Sequence, residues 1–178
     1  NHYMDYSWQK KFFYTAYVTG SDTWSNTTLS KFGGELASTL KSGAMILDVG
    51  CGRGKFAFEL ANGSFRVIGL DYIKEIIDRD NAEVRNRKLE TKVRFMVGDI
   101  FNVPLTDQSF DAVTDIGLLQ HIHPEDWSEY RNEVSRVLKK GGYFFVVAFS
   151  KDTNKYLTFN PKASAVSDFE HENVFHHF

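Results

Sequence analysis

The sequence predicts an α/β domain in which a mainly parallel sheet is doubly wound, with helices on both faces. Two observations carry this prediction. Short apolar runs alternate along the chain with helical stretches, and this alternation is typical of parallel strands joined by right-handed crossovers. Some runs are nearly unbroken, such as Phe144-Phe145-Val146-Val147-Ala148-Phe149, which indicates strands buried on both faces of the sheet.

Length and composition predict one domain. The chain has 178 residues, of which 42% are hydrophobic and 16 are phenylalanine. This is enough for one sizeable core but too little for two ordinary domains. We interpret 1–178 as a single domain with an N-terminal helical cap (1–42), a central core (43–150) and a polar C-terminal tail (151–178).

The N-terminal segment, 1–24, is crowded with aromatic side chains. Two interpretations suit it: a short helix that folds over a pocket as a lid, or an amphipathic helix packed on the core. A second helix is predicted to begin at Asn26 or Thr27, residue types that cap helices, and to end near Leu40. Beyond it, the alternation predicts helices over 55–61, 74–89 and 124–138, and strands that begin near Met45, Arg66, Val93, Phe110 and Tyr143.

The first predicted strand leads through an acid into three glycines, Asp48-x-Gly50-x-Gly52-x-Gly54. Glycine permits φ > 0 and a close approach of the main chain to a ligand, and the following helix offers free N–H groups. The segment therefore predicts a site for a nucleoside cofactor, although many α/β proteins carry such a turn for packing alone. The dinucleotide pattern G-x-G-x-x-G would need a glycine at Lys55, and the Walker pattern is absent.

Three further acids end apolar runs. Asp71 lies at the spacing after the glycines where a ribose-binding carboxylate is expected, an observation that would equally suit NAD. Asp99 and Asp115 end the next two runs. Because the carboxyl ends of parallel strands meet at one edge of a sheet, the four acids are predicted to lie at one rim. Any one of them alone would more often be a turn or helix-cap residue.

Together these segments resemble the class I S-adenosylmethionine (AdoMet)-dependent methyltransferases. The resemblance implies a Rossmann-like methyltransferase fold, with AdoMet as cofactor and S-adenosylhomocysteine as product. It extends to the turn Leu138-Lys139-Lys140-Gly141-Gly142 before the fifth strand. The polar segment after that strand is short, and a complete class I sheet has two further strands. We therefore expect the C-terminal strands to be incomplete.

The resemblance also implies a role for each motif. The glycine turn would pass under the methionine part of the cofactor with Asp48 near its ammonium group, Asp71 would hold the ribose, and Asp99 would take the adenine amine. The implied cofactor-binding residues are Asp48, Gly50, Cys51, Gly52, Gly54, Asp71, Tyr72, Asp99, Ile100, Asp115, Ile116 and Gly117.

The sequence indicates fewer residues for the methyl acceptor than for the cofactor. His121 and Asp115 are the best placed candidates for a catalytic base, and Tyr17, Trp24 and His121 for the walls of an acceptor pocket. For His121 a packing or capping role is slightly favoured over a catalytic one. The chain lacks the Asp/Asn-Pro-Pro-aromatic motif of amino-methylating nucleic-acid enzymes and the paired-glutamate loop of the protein-arginine enzymes. A small-molecule acceptor without a metal is therefore expected; the histidines of the tail lie in a polar segment.

Composition narrows the partners further. A net charge of −2 and the lack of a basic run disfavour nucleic acid. No apolar stretch is long enough to span a bilayer, and a single cysteine, Cys51, fits a cytoplasmic protein. The alternatives left open are a catalytically silent AdoMet-binding regulatory protein, a protein or RNA methyltransferase and, least favoured, an NAD-dependent oxidoreductase. The oligomeric state stays open.

Overall fold

Five parallel strands form one sheet in the order β3-β2-β1-β4-β5. The computed structural model describes residues 3–26 and 30–148. The strands are β1 Met45–Val49, β2 Arg66–Asp71, β3 Val93–Val97, β4 Phe110–Ile116 and β5 Leu138–Val147. The helices are α1 Ser7–Thr19, α2 Ser30–Thr39, α3 Lys55–Asn62, α4 Lys74–Arg87 and α5 Trp127–Val137, with short 3-10 turns at Thr23–Asn26, Leu119–His121 and Pro124–Asp126.

Helices cover both faces of the sheet, which confirms the predicted doubly wound α/β fold. On one face, side chains of α2, α3 and α4, among them Leu36, Phe56 and Ile76, pack on alternate strand residues such as Ile46. On the other face, α5 buries Tyr130 against a second apolar layer. The two layers arise because β1 and β4 present apolar side chains to both sides.

The predicted elements are present, and most differences lie at their ends. α4 ends at Arg87, where Lys88 takes a left-handed conformation with φ of 57°. The predicted helix over 124–138 divides into two parts, a 3-10 turn that begins at Pro124 and the helix α5 that follows it. The structure begins α2 at Ser30; Thr27, one of the two predicted caps, lies outside the described residues.

The prediction of burial on both faces is wrong for β5. Its residues are half-buried or exposed, and Tyr143 retains 51% of its accessible surface. Among the described residues, β5 pairs with β4 on one side only, so it is an edge strand that lacks a second neighbour. Phe149, the tail 151–178 and its histidines lie outside the described residues.

No helix in 3–26 or 30–148 is long and apolar enough to cross a bilayer.

Candidate functional site

The glycine turn forms a tight loop between β1 and α3. Gly50, Gly52 and Gly54 have φ of 62°, 52° and 67°, a region that L-residues rarely adopt. The N–H of Cys51 donates to the Leu70 carbonyl at 3.0 Å, and that of Gly54 to the Cys51 carbonyl at 2.9 Å. The loop is thereby fixed to β2 while α3 begins directly after it.

A phenylalanine from a third strand supports this loop from below. A Cβ at Gly54 would lie 2.5 Å from Phe95 Cζ, and a Cβ at Gly69 would lie 2.4 Å from Phe95 Cδ1. Phe95 is buried and packs on Phe58 of α3 with ring centres 5.2 Å apart. Two glycines on different segments therefore make room for one ring.

Asp71 links the end of β2 to the glycine loop. Its Oδ2 accepts from the Gly52 N–H at 3.1 Å and its Oδ1 from the Ile73 N–H at 3.0 Å. Burial raises the pKa of the carboxyl above its usual range, although these bonds oppose the shift. The structure thus brings together two of the predicted site residues, a buried acid and the backbone of the loop.

Two tyrosines lie beside the loop. The Tyr17 hydroxyl lies 2.7 Å from where a Cβ on Gly52 would stand, so the absence of that Cβ leaves room for it. Tyr72 follows Asp71, and the Lys10 ammonium of α1 lies 5.5 Å from the centre of its ring. The buried Tyr72 hydroxyl has no hydrogen-bond partner among the described residues.

Asp48 lies inside the sheet. It is the fourth residue of β1, and its Oδ1 accepts from the Thr114 hydroxyl of β4 at 2.8 Å. Burial, with the charges of Asp115 and Asp71 adding to it, raises the pKa of Asp48 to about 7. A cationic ligand at the strand ends would lower that pKa and favour the ionised carboxylate.

The loop after β3 carries Asp99 and Ile100 at the same edge. Asp99 is exposed, and its Oδ1 accepts from the Phe101 N–H at 2.9 Å. The ring of Tyr3 stacks on Phe101 at 4.5 Å. The start of the N-terminal segment therefore packs beside the predicted adenine position.

Both carboxylate oxygens of Asp115 accept hydrogen bonds from other residues of the protein. Its Oδ1 accepts from the N–H groups of Leu118 and Leu119 at 2.7 and 3.2 Å, and its Oδ2 accepts from the Tyr130 hydroxyl at 2.7 Å. The carboxylate thus caps the 3-10 turn after β4, and burial raises its pKa to about 6. Ile116 ends the strand, and Gly117 follows with φ of 85°.

His121 joins an aromatic cluster of Phe13, Tyr17, Trp24 and His121 through its contact with Phe13. The His121 ring meets that of Phe13 edge to face at 5.0 Å, and Trp24 lies 5.7 Å from Phe13 and 6.0 Å from Tyr17. Burial lowers the pKa of His121 to about 4, so the imidazole is neutral at pH 7. The predicted acceptor-pocket residues therefore belong to one cluster.

A family model described as a methyltransferase domain matches residues 40–177, well over half of the chain. The chain belongs to the class I AdoMet-dependent methyltransferases. The match includes the glycine loop, Asp71 and the loop after β4, whose geometry is described above.

Known methyltransferases resemble this chain over part of their length. A demethylmenaquinone methyltransferase of Lactobacillus johnsonii is 35% identical over 119 residues, covering 65% of this chain and 48% of that relative. A probable tRNA methyltransferase 9B of Mus musculus is 31% identical over 113 residues, 63% of this chain and 23% of that relative. The chain thus spans less than half the length of these curated relatives.

The fold of the chain also matches solved structures. A Burkholderia thailandensis 1,6-didemethyltoxoflavin-N1-methyltransferase, with bound 1,6-didemethyltoxoflavin and S-adenosylhomocysteine, superposes with a TM-score of 0.74 over 83% of this chain and 64% of that one. Its sequence identity is 24%, so the likeness is one of fold.

Two anchors of the chain's N-terminal segment were not predicted from the sequence. At one end, Asp126 Oδ2 accepts from the Tyr6 hydroxyl at 2.6 Å and from the Met4 N–H at 3.1 Å, and Gln9 donates to the His121 carbonyl at 2.7 Å. At the other, Arg53 of the glycine loop pairs with Asp22. The only signal for the second anchor was an arginine between two glycines, because Asp22 lies far away in the sequence.

Among residues 3–26 and 30–148, no group of three His, Cys, Asp or Glu side chains is placed to hold a metal ion.

Proposed function

We propose that this chain binds AdoMet at the carboxyl edge of the sheet and supports methyl transfer to a small-molecule acceptor by in-line displacement. The observation that carries the proposal is the Asp71 carboxylate held against the Gly52 backbone in a loop of left-handed glycines. A buried acid in that position suits a ribose diol, which donates two hydrogen bonds.

The residues around the loop fit the cofactor. Gly52 has no Cβ, so its backbone faces the Tyr17 hydroxyl directly, and the buried Tyr72 hydroxyl offers a hydrogen bond that the described residues do not use. Gly50, Cys51 and Gly54 complete the cradle in this proposal, with Asp99 and Ile100 toward the adenine and Ile116 and Gly117 on the β4 side. Asp48, with the raised pKa described above, would become ionised beside a cation.

When bound, AdoMet supplies a sulfonium whose methyl group is already activated for transfer. The protein's part is then to align the acceptor and to exclude water. The aromatic cluster of Phe13, Tyr17, Trp24 and His121 suits both tasks, since its rings offer broad apolar faces. We infer an apolar or aromatic small acceptor on this ground.

His121 and Asp115 differ as candidates for a base. A base works best when its pKa lies near the working pH, and the pKa of His121 lies near 4. Both oxygens of Asp115 accept hydrogen bonds from Tyr130 and the following turn. We therefore assign Asp115 a structural role and His121 a role in shaping the pocket, with an acceptor that arrives already nucleophilic.

A second function, methylation of RNA, is favoured by one observation, the similarity to a probable tRNA methyltransferase. Against it stands the net charge of −2, because nucleic-acid binding proteins usually present a basic face. A binding-only regulatory protein would keep the cofactor cradle and dispense with a base.

The test has two stages. Titration calorimetry should give binding of AdoMet and S-adenosylhomocysteine at micromolar levels and no binding of NAD; tighter binding of NAD would overturn the cofactor assignment. Release of S-adenosylhomocysteine is then measured with a panel of small phenols, quinols and amines and, separately, with unmodified tRNA. Turnover with tRNA alone would replace the small-molecule proposal, and binding without turnover on any acceptor would favour the regulatory alternative.

A further inference from the structure

Arg53 reaches out of the glycine loop to the N-terminal segment at three points. Its Nε and Nη2 donate to the two carboxylate oxygens of Asp22, the second at 2.6 Å, and Nη2 also donates to the Tyr17 carbonyl at 2.7 Å. The guanidinium carbon lies 5.5 Å from the centre of the Tyr17 ring. One side chain of the loop thus holds both the last turn of α1 and Asp22, which lies beyond the helix end.

The Asp22 partner is built into the structure. Its side chain is only 4% exposed, against 25% for Arg53, and the Ser25 hydroxyl donates to its Oδ2 at 2.5 Å. Burial would raise the pKa of this carboxyl, but the hydrogen bonds from Arg53 and Ser25 hold it below its usual range. A bidentate pair of this kind with a buried acid is worth more than an exposed surface pair.

The arginine also satisfies the end of α1. The last carbonyls of a helix lack partners within the helix and carry partial negative charge. A cation that donates to the Tyr17 carbonyl is therefore favourable at this end. Since the Tyr17 hydroxyl lies on Gly52 of the same loop, the arginine and the phenol hold the segment and the loop together from two sides.

We propose that Arg53 and Asp22 are positioning residues that latch the segment 7–26 over the cofactor loop and keep Tyr17 and Trp24 in place for the acceptor. The proposal rests on the AdoMet site proposed above. Entry and exit of the cofactor then require the Arg53–Asp22 pair to open. The Tyr6–Asp126 contact at the other end stays closed as the hinge, because the contacts of the Tyr6 side chain are with residues after β3 and β4 rather than with the glycine loop.

The latch predicts a specific kinetic result. In Arg53→Met and in Asp22→Asn, stopped-flow measurements should show both the association and the dissociation rates of S-adenosylhomocysteine rising, the latter about tenfold, while the affinity changes less than either rate. A substitution that merely distorted the site would slow the association of S-adenosylhomocysteine. Hydrogen exchange of residues 14–26 in the complex should become faster in both variants.

The double variant distinguishes one contact from two. If Arg53 and Asp22 act through each other, the double variant should match the more affected single variant rather than show the product of the two effects. Arg87→Met is the matched control, because Arg87 pairs with Glu83 on its own helix. It should behave as wild type.

Three outcomes would overturn the latch: dissociation rates within twofold of wild type, effects of the two substitutions that multiply, or an equal change in Arg87→Met. If Arg53→Met does not fold, as judged by its melting curve, Asp22→Asn decides by the same criteria. A wild-type protein that binds no S-adenosylhomocysteine would contradict the cofactor proposal itself. Normal binding with unchanged rates in the variants would contradict only the latch.

Discussion

The glycine loop and the N-terminal segment face the same edge of the sheet but are built differently. The loop offers backbone groups and one carboxylate, with its shape fixed by left-handed glycines and by contacts to β2. The segment offers aromatic side chains that pack on one another and on His121. Backbone groups in a fixed loop can recognise one kind of ligand, whereas an aromatic cluster changes its shape with each substitution.

This difference separates what the chain shares with its family from what is its own. A cofactor common to many enzymes suits the rigid loop, and an acceptor that differs between enzymes suits the segment and the turn after β4. Substitutions at the loop should therefore act on AdoMet, and substitutions on the β4 side should act on stability or on the acceptor. The following predictions test that separation.

The largest effect is expected at Asp71. If Asp71 holds the ribose as proposed, Asp71→Ala removes two charge-assisted hydrogen bonds, each worth about 1.5 kcal/mol or more, so AdoMet affinity should fall roughly a hundredfold. Calorimetry measures it, with Asp78→Ala, an exposed acid on α4, as the control. An affinity equal to that of the parent, at an unchanged melting temperature, would mean that Asp71 does not hold the ribose.

Asp115 should behave in the opposite way. Asp115→Ala leaves the buried Tyr130 hydroxyl and two N–H groups without an acceptor, so the free energy of unfolding should fall by about 2 kcal/mol. Urea denaturation measures this change, and Tyr130→Phe should cost about half as much. S-adenosylhomocysteine should bind the folded variant about as well as it binds wild type. A tenfold loss of affinity without a loss of stability would place Asp115 in the site.

Asp48 should show its environment in the pH dependence of stability. Its pKa rises from 3.8 to about 7 on folding, so the native state keeps a proton that the unfolded chain releases, and stability falls as the pH rises between these values. Asp48→Asn lacks this loss. Its stability relative to wild type, without ligand, should therefore increase by on the order of 1 kcal/mol from pH 5 to pH 8. A constant difference across that range would show that Asp48 is ionised throughout.

The smallest effect is expected at His121. With a pKa near 4, the imidazole does not titrate between pH 6 and 8. The rate of methyl transfer should therefore have the same pH dependence in this range in wild type and in His121→Gln. The same substitution should lower the rate less than about tenfold, since general-base catalysis contributes more than that. An inflection near neutral pH that disappears in the variant would restore His121 as a base.

Most of the fold could be predicted from local sequence patterns. The glycine spacing predicted the tight turn after β1, and the apolar runs predicted the strands, because each depends on a few neighbouring residues. The contacts of Asp115 and the pair between Arg53 and Asp22 could not be predicted, since their partners are distant in sequence and meet only through the fold. The burial of β5 was overestimated for a related reason: its apolar residues do not reveal how many strands lie beside them.

The placement of Phe95 has a consequence for engineering. One ring from β3 fills the space left by Gly54 of the loop and Gly69 of β2, so the curvature of the loop depends on the size of a side chain that lies beneath it. Enlarging Gly69 would require a smaller residue at position 95, and Gly54 is further constrained by its φ of 67°. The three positions are therefore coupled, and libraries that vary the loop alone would sample mostly chains whose loop no longer fits its support.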